Sequence, residues 1–151
     1  MSRTPIDSEA AHAQELAQRT ADFLFAHDQM ARSLGMRIVH VASGRASLSM
    51  QVRSDMFNGH GSCHGGVLFS IADTAFAFAC NTYNALTVAA GATIDFLLPV
   101  KQGDELTAVA TELWRSRRSG GYDVVVINQR QERVALFRGR SHQLDAKVID
   151  D

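Results

Sequence analysis

The spacing of apolar residues predicts a helix early in the chain, followed by a β-hairpin. Residues 8–33 are rich in Ala, Gln and Glu, and carry a partial apolar stripe at helical spacing that includes Leu16, Phe23 and Met30. After Gly35 the repeat shortens to two residues. Positions 36, 38, 40 and 42 alternate with their neighbours, a turn follows at 43–45, and positions 46, 48, 50 and 52 form the apolar face of a second strand. We expect a hairpin with one buried face.

The most apolar stretch lies in the middle of the chain and predicts a central helix. It begins at Gly65 or Gly66 and extends to about residue 83, where Asn81 and Asn84 favour an end. The stretch is apolar on almost every side of a helix, so it should be buried on most sides. A glycine-rich loop at residues 54–66 precedes it.

Four further strands are predicted after this helix, at residues 86–98, 105–115, 122–129 and 134–144. Tight turns at 100–104 and 119–121 and a polar stretch at 130–133 separate them. Strands joined by short turns run antiparallel. One apolar helix among six antiparallel strands is buried most economically when the sheet curls around it. The predicted fold class is therefore α+β, with the central helix as its core.

Length, charge and cysteine content exclude several classes of function. A chain of 151 residues has the size of one domain, and the formal net charge of −1 comes with scattered basic residues that indicate no nucleic-acid partner. No apolar stretch reaches the roughly 18 residues needed to span a bilayer, and the start lacks the apolar block of a secretory signal. Cys63 and Cys80 are too few for a disulfide framework. We expect a cytoplasmic protein without a membrane partner.

Asp73 is the leading candidate for chemistry. It lies within an otherwise apolar helix, where an ionised carboxylate is unfavourable unless it is paired or hydrogen-bonded. Such a group often has a functional use, here as a general base or a nucleophile. The alternative is a structural carboxylate that backbone amides or the hydroxyl of Thr74 satisfy. Both interpretations stay open on this residue alone.

The start of the predicted helix is a second candidate. Gly65 and Gly66 would leave backbone amides free at a helix N-terminus, which suits an anion or a developing oxyanion. The alternative is a glycine turn that merely admits the buried helix. Nearby, Asn58 and His64 could orient water or a substrate carbonyl, or could stabilise the loop.

The distance between these two candidates predicts a dimer. Gly65 and Asp73 are eight positions apart in one helix, which corresponds to about 12 Å along its axis. A base and an oxyanion donor must each lie about 3 Å from one reacting group. Two helices packed antiparallel across a two-fold axis would bring Gly65 of one chain beside Asp73 of the other. If both residues act on one carbonyl, the active form is at least a dimer.

Other clusters are less specific. His60, Cys63 and His64 resemble metal ligands, but no second cluster with ligand spacing occurs elsewhere, so we expect no metal site. A group of late arginines could bind phosphate groups, or could lie at solvated strand ends. These are Arg115, Arg117, Arg118, Arg138 and Arg140.

Four segments resemble the hotdog-fold acyl-CoA thioesterases, above all the phenylacetic-acid-degradation thioesterases. They are NGHGSCHGG at 58–66, LFSIADTAFA at 68–77, TIDFL at 93–97 and VALFRG at 134–139. The resemblance covers about residues 34–142. It implies a long central helix wrapped by a curved antiparallel sheet in one hotdog domain at 34–146. An extra N-terminal helical segment at 1–33 precedes this domain.

The resemblance also implies roles for individual residues. Asp73 would be the catalytic carboxylate, as nucleophile or as base for water, and the Gly65 amide would polarise the thioester carbonyl. Asn58 would hold water or the carboxylate, and His64 would support the thioester end. Substrate contacts would come from Thr74, Arg117 and Arg118. The implied substrates are aryl-acetyl-CoA thioesters, notably ring-hydroxylated phenylacetyl-CoA.

The implied assembly is a catalytic dimer, usually paired into a tetramer. No metal or prosthetic group is implied, since CoA is part of the substrate. Two other classes of function stay open. One is a non-catalytic module that binds acyl-CoA or an aromatic ligand. The other is a hydratase or dehydratase, which needs a histidine and an acid facing one substrate carbon, whereas Asp73 has no histidine partner on its own helix.

Overall fold

The computed structural model describes residues 5–150, and the predicted N-terminal segment is therefore seen only from residue 5. Two helices come first, α1 (Pro5–His27) and α2 (Gln29–Ser33), followed by strands β1 (Arg37–Ala42) and β2 (Arg45–Gln51). A short 3₁₀ turn, Ser54–Met56, leads to helix α3 (Gly65–Cys80). The chain ends with strands β3 (Thr87–Phe96), β4 (Glu105–Arg115), β5 (Ser119–Ile127) and β6 (Arg133–Gln143).

The six strands form one antiparallel sheet in the order β1-β2-β4-β5-β6-β3. Helix α3 packs against five of them, β2 to β6. The predicted α+β arrangement, with the central helix as core, is confirmed. The pairing of β3 differs from a simple series of hairpins, because β3 pairs with β6 and not with its chain neighbour β4. The segment between β3 and β4 is hydrogen-bonded to the loop before α3 and to the residue that follows β2. Val100 O accepts from Cys63 N, and Asp104 O accepts from Val52 N.

Helix α3 is buried because its apolar side chains fill the concave face of the sheet. The Phe76 ring is fully buried and lies 5.5 Å from Tyr122 and 5.8 Å from Phe137, measured between ring centroids. Burying a side chain of this size stabilises a fold by about 1.5–3 kcal/mol. Gly139 lets β6 approach the helix, since a Cβ there would lie 2.8 Å from the Phe76 ring.

The helix ends at Cys80, three residues earlier than predicted, because Asn81 links its last turn to β3. The Asn81 side chain donates to Ala77 O and Thr87 O, and accepts from Thr87 N. These bonds satisfy a helix-end carbonyl and fix where β3 begins. Asn81 thus acts as the predicted end signal.

Strand β1 departs from the predicted alternation. The pairing register shifts between Ile38 and His40, so Val39 is an extra residue with 59% of its surface exposed. A bulge of this kind reverses which positions face the core. Val41 therefore lies in the core, whereas His40 is exposed, contrary to the face predicted from positions 36, 38, 40 and 42.

The N-terminal helices share the core of the sheet domain. Ala17, Ala21 and Ala31 are fully buried in it, and the Gln14 side chain donates to Val41 O at 2.7 Å. Helix α1 thus covers the β1 edge of the sheet. The single helix predicted at 8–33 is broken at Asp28, which caps α2.

The described chain beyond residue 146 is also held in place. Asn84 has a left-handed backbone conformation, with φ +58°, and its Oδ1 accepts from Val148 N and Ile149 N. The domain limits of 34 and 146 stay a prediction. Among residues 5–150, none of the helices combines the length and apolar character needed to cross a bilayer.

Candidate active site

The amide of Gly65 is available at the start of α3. His64 is the N-cap, and its Nδ1 accepts from Gly66 N at 2.9 Å. His64 O accepts from Val67 N and Leu68 N. Within residues 5–150, the Gly65 N–H has no acceptor. A free donor at the positive end of a helix suits a developing oxyanion.

This amide opens into a cleft of about 450 Å³, which we call the glycine cleft. It is lined by Asn58, Ser62, Cys63, Gly65, Leu68 and residues 96–100. The Phe96 ring lies beside the amide, since a Cβ on Gly65 would come 3.0 Å from it. Absence of a side chain at residue 65 therefore lets the Phe96 ring pack closely against the helix start.

Asn58 lines the glycine cleft and also holds the loop that forms it. Its Oδ1 accepts from His60 N at 2.9 Å and from Ser62 N at 3.3 Å. Its Nδ2 donates to Ser62 Oγ at 3.4 Å, which leaves one amide hydrogen without a partner among the described residues. The two interpretations made from sequence, loop stabilisation and ligand contact, are therefore compatible.

His64 likewise has one ring nitrogen in a structural hydrogen bond and one that is available to a ligand. Its Nδ1 is engaged as the helix cap, so a neutral imidazole carries its proton on Nε2. The ring is exposed, and Nε2 donates to no described residue. The side chain can therefore donate one hydrogen bond near the glycine cleft.

Asp73 lies in a second cleft, of about 620 Å³, which we call the aspartate cleft. Its carboxylate is half-buried and makes no hydrogen bond or ion pair with any residue from 5 to 150. Burial raises the pKa of Asp73, and the negative charge of Asp28 raises it further. Thr74 does not satisfy it, since Thr74 Oγ1 donates to Ser70 O at 2.7 Å. An unpaired carboxylate with a raised pKa suits a base or a nucleophile better than a structural role.

The walls of the aspartate cleft are mostly apolar, and the junction of α1 and α2 contributes polar groups to them. These groups are His27, Asp28 and Gln29. The other lining residues are Leu24, Phe76, Ala77, Phe78, Asn81, Leu86, Thr87, Val88 and Ala89. Sequence reasoning missed this junction, because no local pattern links α1 to α3. The histidine that Asp73 lacks on its own helix is supplied to its cleft by α1.

The two clefts have no lining residue in common within the described chain. Gly65 and Asp73 lie at different turns of one unbroken helix, α3, which separates them by about 12 Å along the axis. A single chain therefore presents the oxyanion donor and the carboxylate in two places. Each cleft contains half of the predicted site.

The predicted arginines lie outside both clefts. Arg117 and Arg118 are exposed in the turn between β4 and β5, and Arg118 pairs with Asp145 at 2.8 Å. Cys63, although it lines the glycine cleft, is buried, and burial raises the pKa of its thiol to about 11. Within residues 5–150, no group of three or more His, Cys, Asp or Glu side chains could hold a metal ion.

Comparison with known proteins decides the family. The thioesterase superfamily profile matches residues 60–135. The chain is 46% identical over 135 residues to the acyl-coenzyme A thioesterase PaaI of Escherichia coli (strain K12), covering 89% of this chain and 96% of that protein. The chain belongs to the thioesterase superfamily.

Solved structures of this thioesterase superfamily confirm the hotdog fold. E. coli PaaI, from the phenylacetic acid degradation operon, superposes with a TM-score of 0.88 at 44% identity, covering 89% of this chain and 98% of that one. A mutant of the phenylacetic acid degradation protein PaaI from Thermus thermophilus gives a TM-score of 0.75 at 38% identity, covering 78% of this chain and 100% of that one. The resemblance inferred from the loop and helix motifs is thereby confirmed.

Proposed function

We propose that this thioesterase hydrolyses aryl-acetyl-CoA thioesters, of the phenylacetyl-CoA and hydroxyphenylacetyl-CoA type, to the free acid and CoA in phenylacetate degradation. The observation that carries the proposal is an unpaired Asp73 in a largely apolar cleft, on the helix whose first amide, Gly65, is free. Similarity to E. coli PaaI, named as an acyl-CoA thioesterase, supports the substrate class.

The reaction needs little beyond these two groups. The Gly65 N–H polarises the thioester carbonyl and stabilises the oxyanion that forms on it. Asp73 either attacks the carbonyl carbon itself or removes a proton from the attacking water. Collapse of the tetrahedral intermediate breaks the C–S bond, and the thiolate of CoA leaves and takes up a proton. Where Asp73 is the nucleophile, this step leaves an acyl–aspartyl anhydride, which water hydrolyses to release the acid and restore the carboxylate. Overall, one water molecule is consumed for each acid and each CoA released.

We further propose that the active unit is a dimer formed along β3. Strand β3 is the sheet edge that α1 does not cover, and unpaired edge groups favour pairing with another strand. Large apolar side chains are exposed along it and on the adjacent face of α3. They are Phe69, Val88, Phe96, Leu97 and Leu98. A second copy would cover this surface and bring its own Asp73 towards Gly65.

The remaining predicted residues fit around this composite site. The free amide hydrogen of Asn58 can hold water or the carboxylate, and His64 Nε2–H can support the thioester end. Thr74 adjoins Asp73, while Arg117 and Arg118 lie on the surface, where phosphate groups of CoA could reach them. We propose that no metal or prosthetic group takes part, that dimers pair into a tetramer and that the protein acts in the cytoplasm.

A thiol-release screen across aryl and alkyl CoA thioesters tests the function. We expect release of CoA from phenylacetyl-CoA and its hydroxylated forms, with slower turnover of short alkyl thioesters. The Asp73→Ala variant, with its oligomeric state verified, is the control. Tight binding of CoA thioesters without thiol release would instead identify a non-catalytic binding module.

A further inference from the structure

A second carboxylate, Asp28, lines the aspartate cleft together with Asp73. Its Oδ1 accepts from Ala31 N at 2.9 Å as the N-cap of α2, which fixes the side chain at the α1–α2 junction. Its other oxygen makes no bond with the described residues. The cleft therefore contains two negative groups.

The residues that this chain contributes to the cleft include no arginine or lysine to balance these two carboxylates. The one histidine among them, His27, donates from Nδ1 to Phe23 O at 2.8 Å. Most of the remaining lining is apolar, from Leu24 to Val88. Charges beside apolar walls are screened less than charges in open solvent. Burial raises the pKa of Asp73, and the negative charge of Asp28 raises it further, in keeping with weak screening.

We propose that Asp28 is a specificity-determining residue, which admits neutral acyl groups to the aspartate cleft and excludes acyl groups that carry a carboxylate. The inference rests on the proposed function, because it takes the aspartate cleft as the acyl site. A carboxylate on the acyl group would face Asp28 and Asp73, and the lining that this chain contributes has no Arg or Lys to compensate it. Selection against a wrong substrate by like charge is a common source of specificity. A neutral aromatic ring meets the apolar walls without this penalty.

The test compares (4-carboxyphenyl)acetyl-CoA with (4-carbamoylphenyl)acetyl-CoA, which have nearly the same size but differ in charge. The wild-type protein should prefer the carbamoyl substrate in kcat/KM. Asp28→Asn removes the charge and keeps the cap, because Asn and Asp cap helices about equally well. We expect it to reduce the preference by about three- to ten-fold, mainly through KM, as expected for the loss of one charge in a partly screened site.

The matched control is Asp22→Asn, the same charge change on an exposed part of α1 outside the cleft. An unchanged preference in Asp28→Asn, or an equal change in Asp22→Asn, would overturn the inference. So would a wild-type protein that does not discriminate between the two substrates. If no thioester is hydrolysed, the proposed function has failed instead. The same comparison then uses dissociation constants of the two non-hydrolysable thioether analogues.

Discussion

Gly65 and Asp73 belong to the same helix, yet they line different clefts. Eight residues correspond to a little more than two helical turns, so the two positions differ by about 12 Å in height and about 80° in direction. The helix is continuous between them and its middle is buried in the sheet. A rearrangement within one chain cannot bring them to one carbonyl group. A second copy of the chain can.

Removing the charge of Asp73 should abolish turnover and stabilise the fold. Asp73→Asn is expected to lower kcat by about 10²–10⁴-fold, because the amide is neither a base nor a nucleophile. Since the pKa of Asp73 is raised in the folded protein, its ionisation lowers the free energy of unfolding above that pKa. Asn should therefore raise Tm at pH 7, with the gain vanishing below the ordinary pKa of an aspartate. Steady-state kinetics and thermal unfolding at pH 7 and pH 3 check both effects, and near-normal turnover would exclude Asp73 from catalysis.

Gly65 can be probed with two substitutions, of which one removes its N–H group and the other keeps it. Proline is well tolerated at the first position of a helix, so Gly65→Pro removes the amide donor without breaking α3. Gly65→Ala adds a Cβ near Phe96 but keeps the donor. We expect Gly65→Pro to reduce kcat by about 10²–10³-fold more than Gly65→Ala, the effect of one lost oxyanion donor. Equal losses in both variants would indicate steric blockage by Phe96 rather than loss of the hydrogen bond.

Mixing two inactive variants should restore activity if the site is shared. A hybrid dimer of Asp73→Ala and Gly65→Pro chains contains one intact site, built from the unaltered Gly65 of one chain and the unaltered Asp73 of the other. Random exchange gives half hybrids, each with one of two sites, so about one quarter of wild-type activity is expected. The measurement is thiol release after subunit exchange, with exchange verified by mass spectrometry of the intact dimers. Absence of rescue after complete exchange contradicts a composite site.

The acid limb of the pH profile should depend on Asp28. Asp73 must be ionised to act, and burial and Asp28 both raise its pKa, so kcat/KM should fall at a higher pH than for an ordinary aspartate. His27, the remaining titratable residue in the described lining of this cleft, is present in both the wild-type protein and Asp28→Asn. Asp28→Asn lowers the pKa of Asp73 and should move the limb to lower pH, although burial keeps it above the ordinary value. A shift of the acid limb to higher pH in Asp28→Asn would be inconsistent with like-charge coupling. The control Asp22→Asn should leave the acid limb at the pH of the wild-type protein.

A charge on the exposed edge strand β3 should separate the subunits. Ala92 lies on this edge strand, where it pairs in register with Gly139, and it is exposed. Ala92→Arg adds bulk and charge to an edge strand, which opposes edge-to-edge pairing. We expect monomers by light scattering and loss of thioesterase activity with an unchanged circular dichroism spectrum. Ala11→Arg, at an exposed position of α1, should stay oligomeric and active.

The local features of this fold could be read from the sequence. The alternation along β2 identified its buried face correctly, since Ala46, Leu48 and Met50 are all buried. The apolar stretch after Gly65 predicted a buried helix with the right start. These signals are local, because the side-chain repeat of a strand or helix depends on a few neighbouring residues. The unusual setting of Asp73 was visible for the same reason.

The contacts between distant segments came only from the tertiary structure. The small and β-branched residues of β3 predict a strand but not which strand lies beside it, and β3 pairs with β6. The bulge at Val39 depends on how the hairpin fits the core and α1, so periodicity predicted the wrong face for His40. Above all, Asp28 and Asp73 are far apart in the sequence and no pattern connects them. They share a cleft because α1 and α2 pack against the sheet and α3, and burial there raises the pKa of the catalytic candidate.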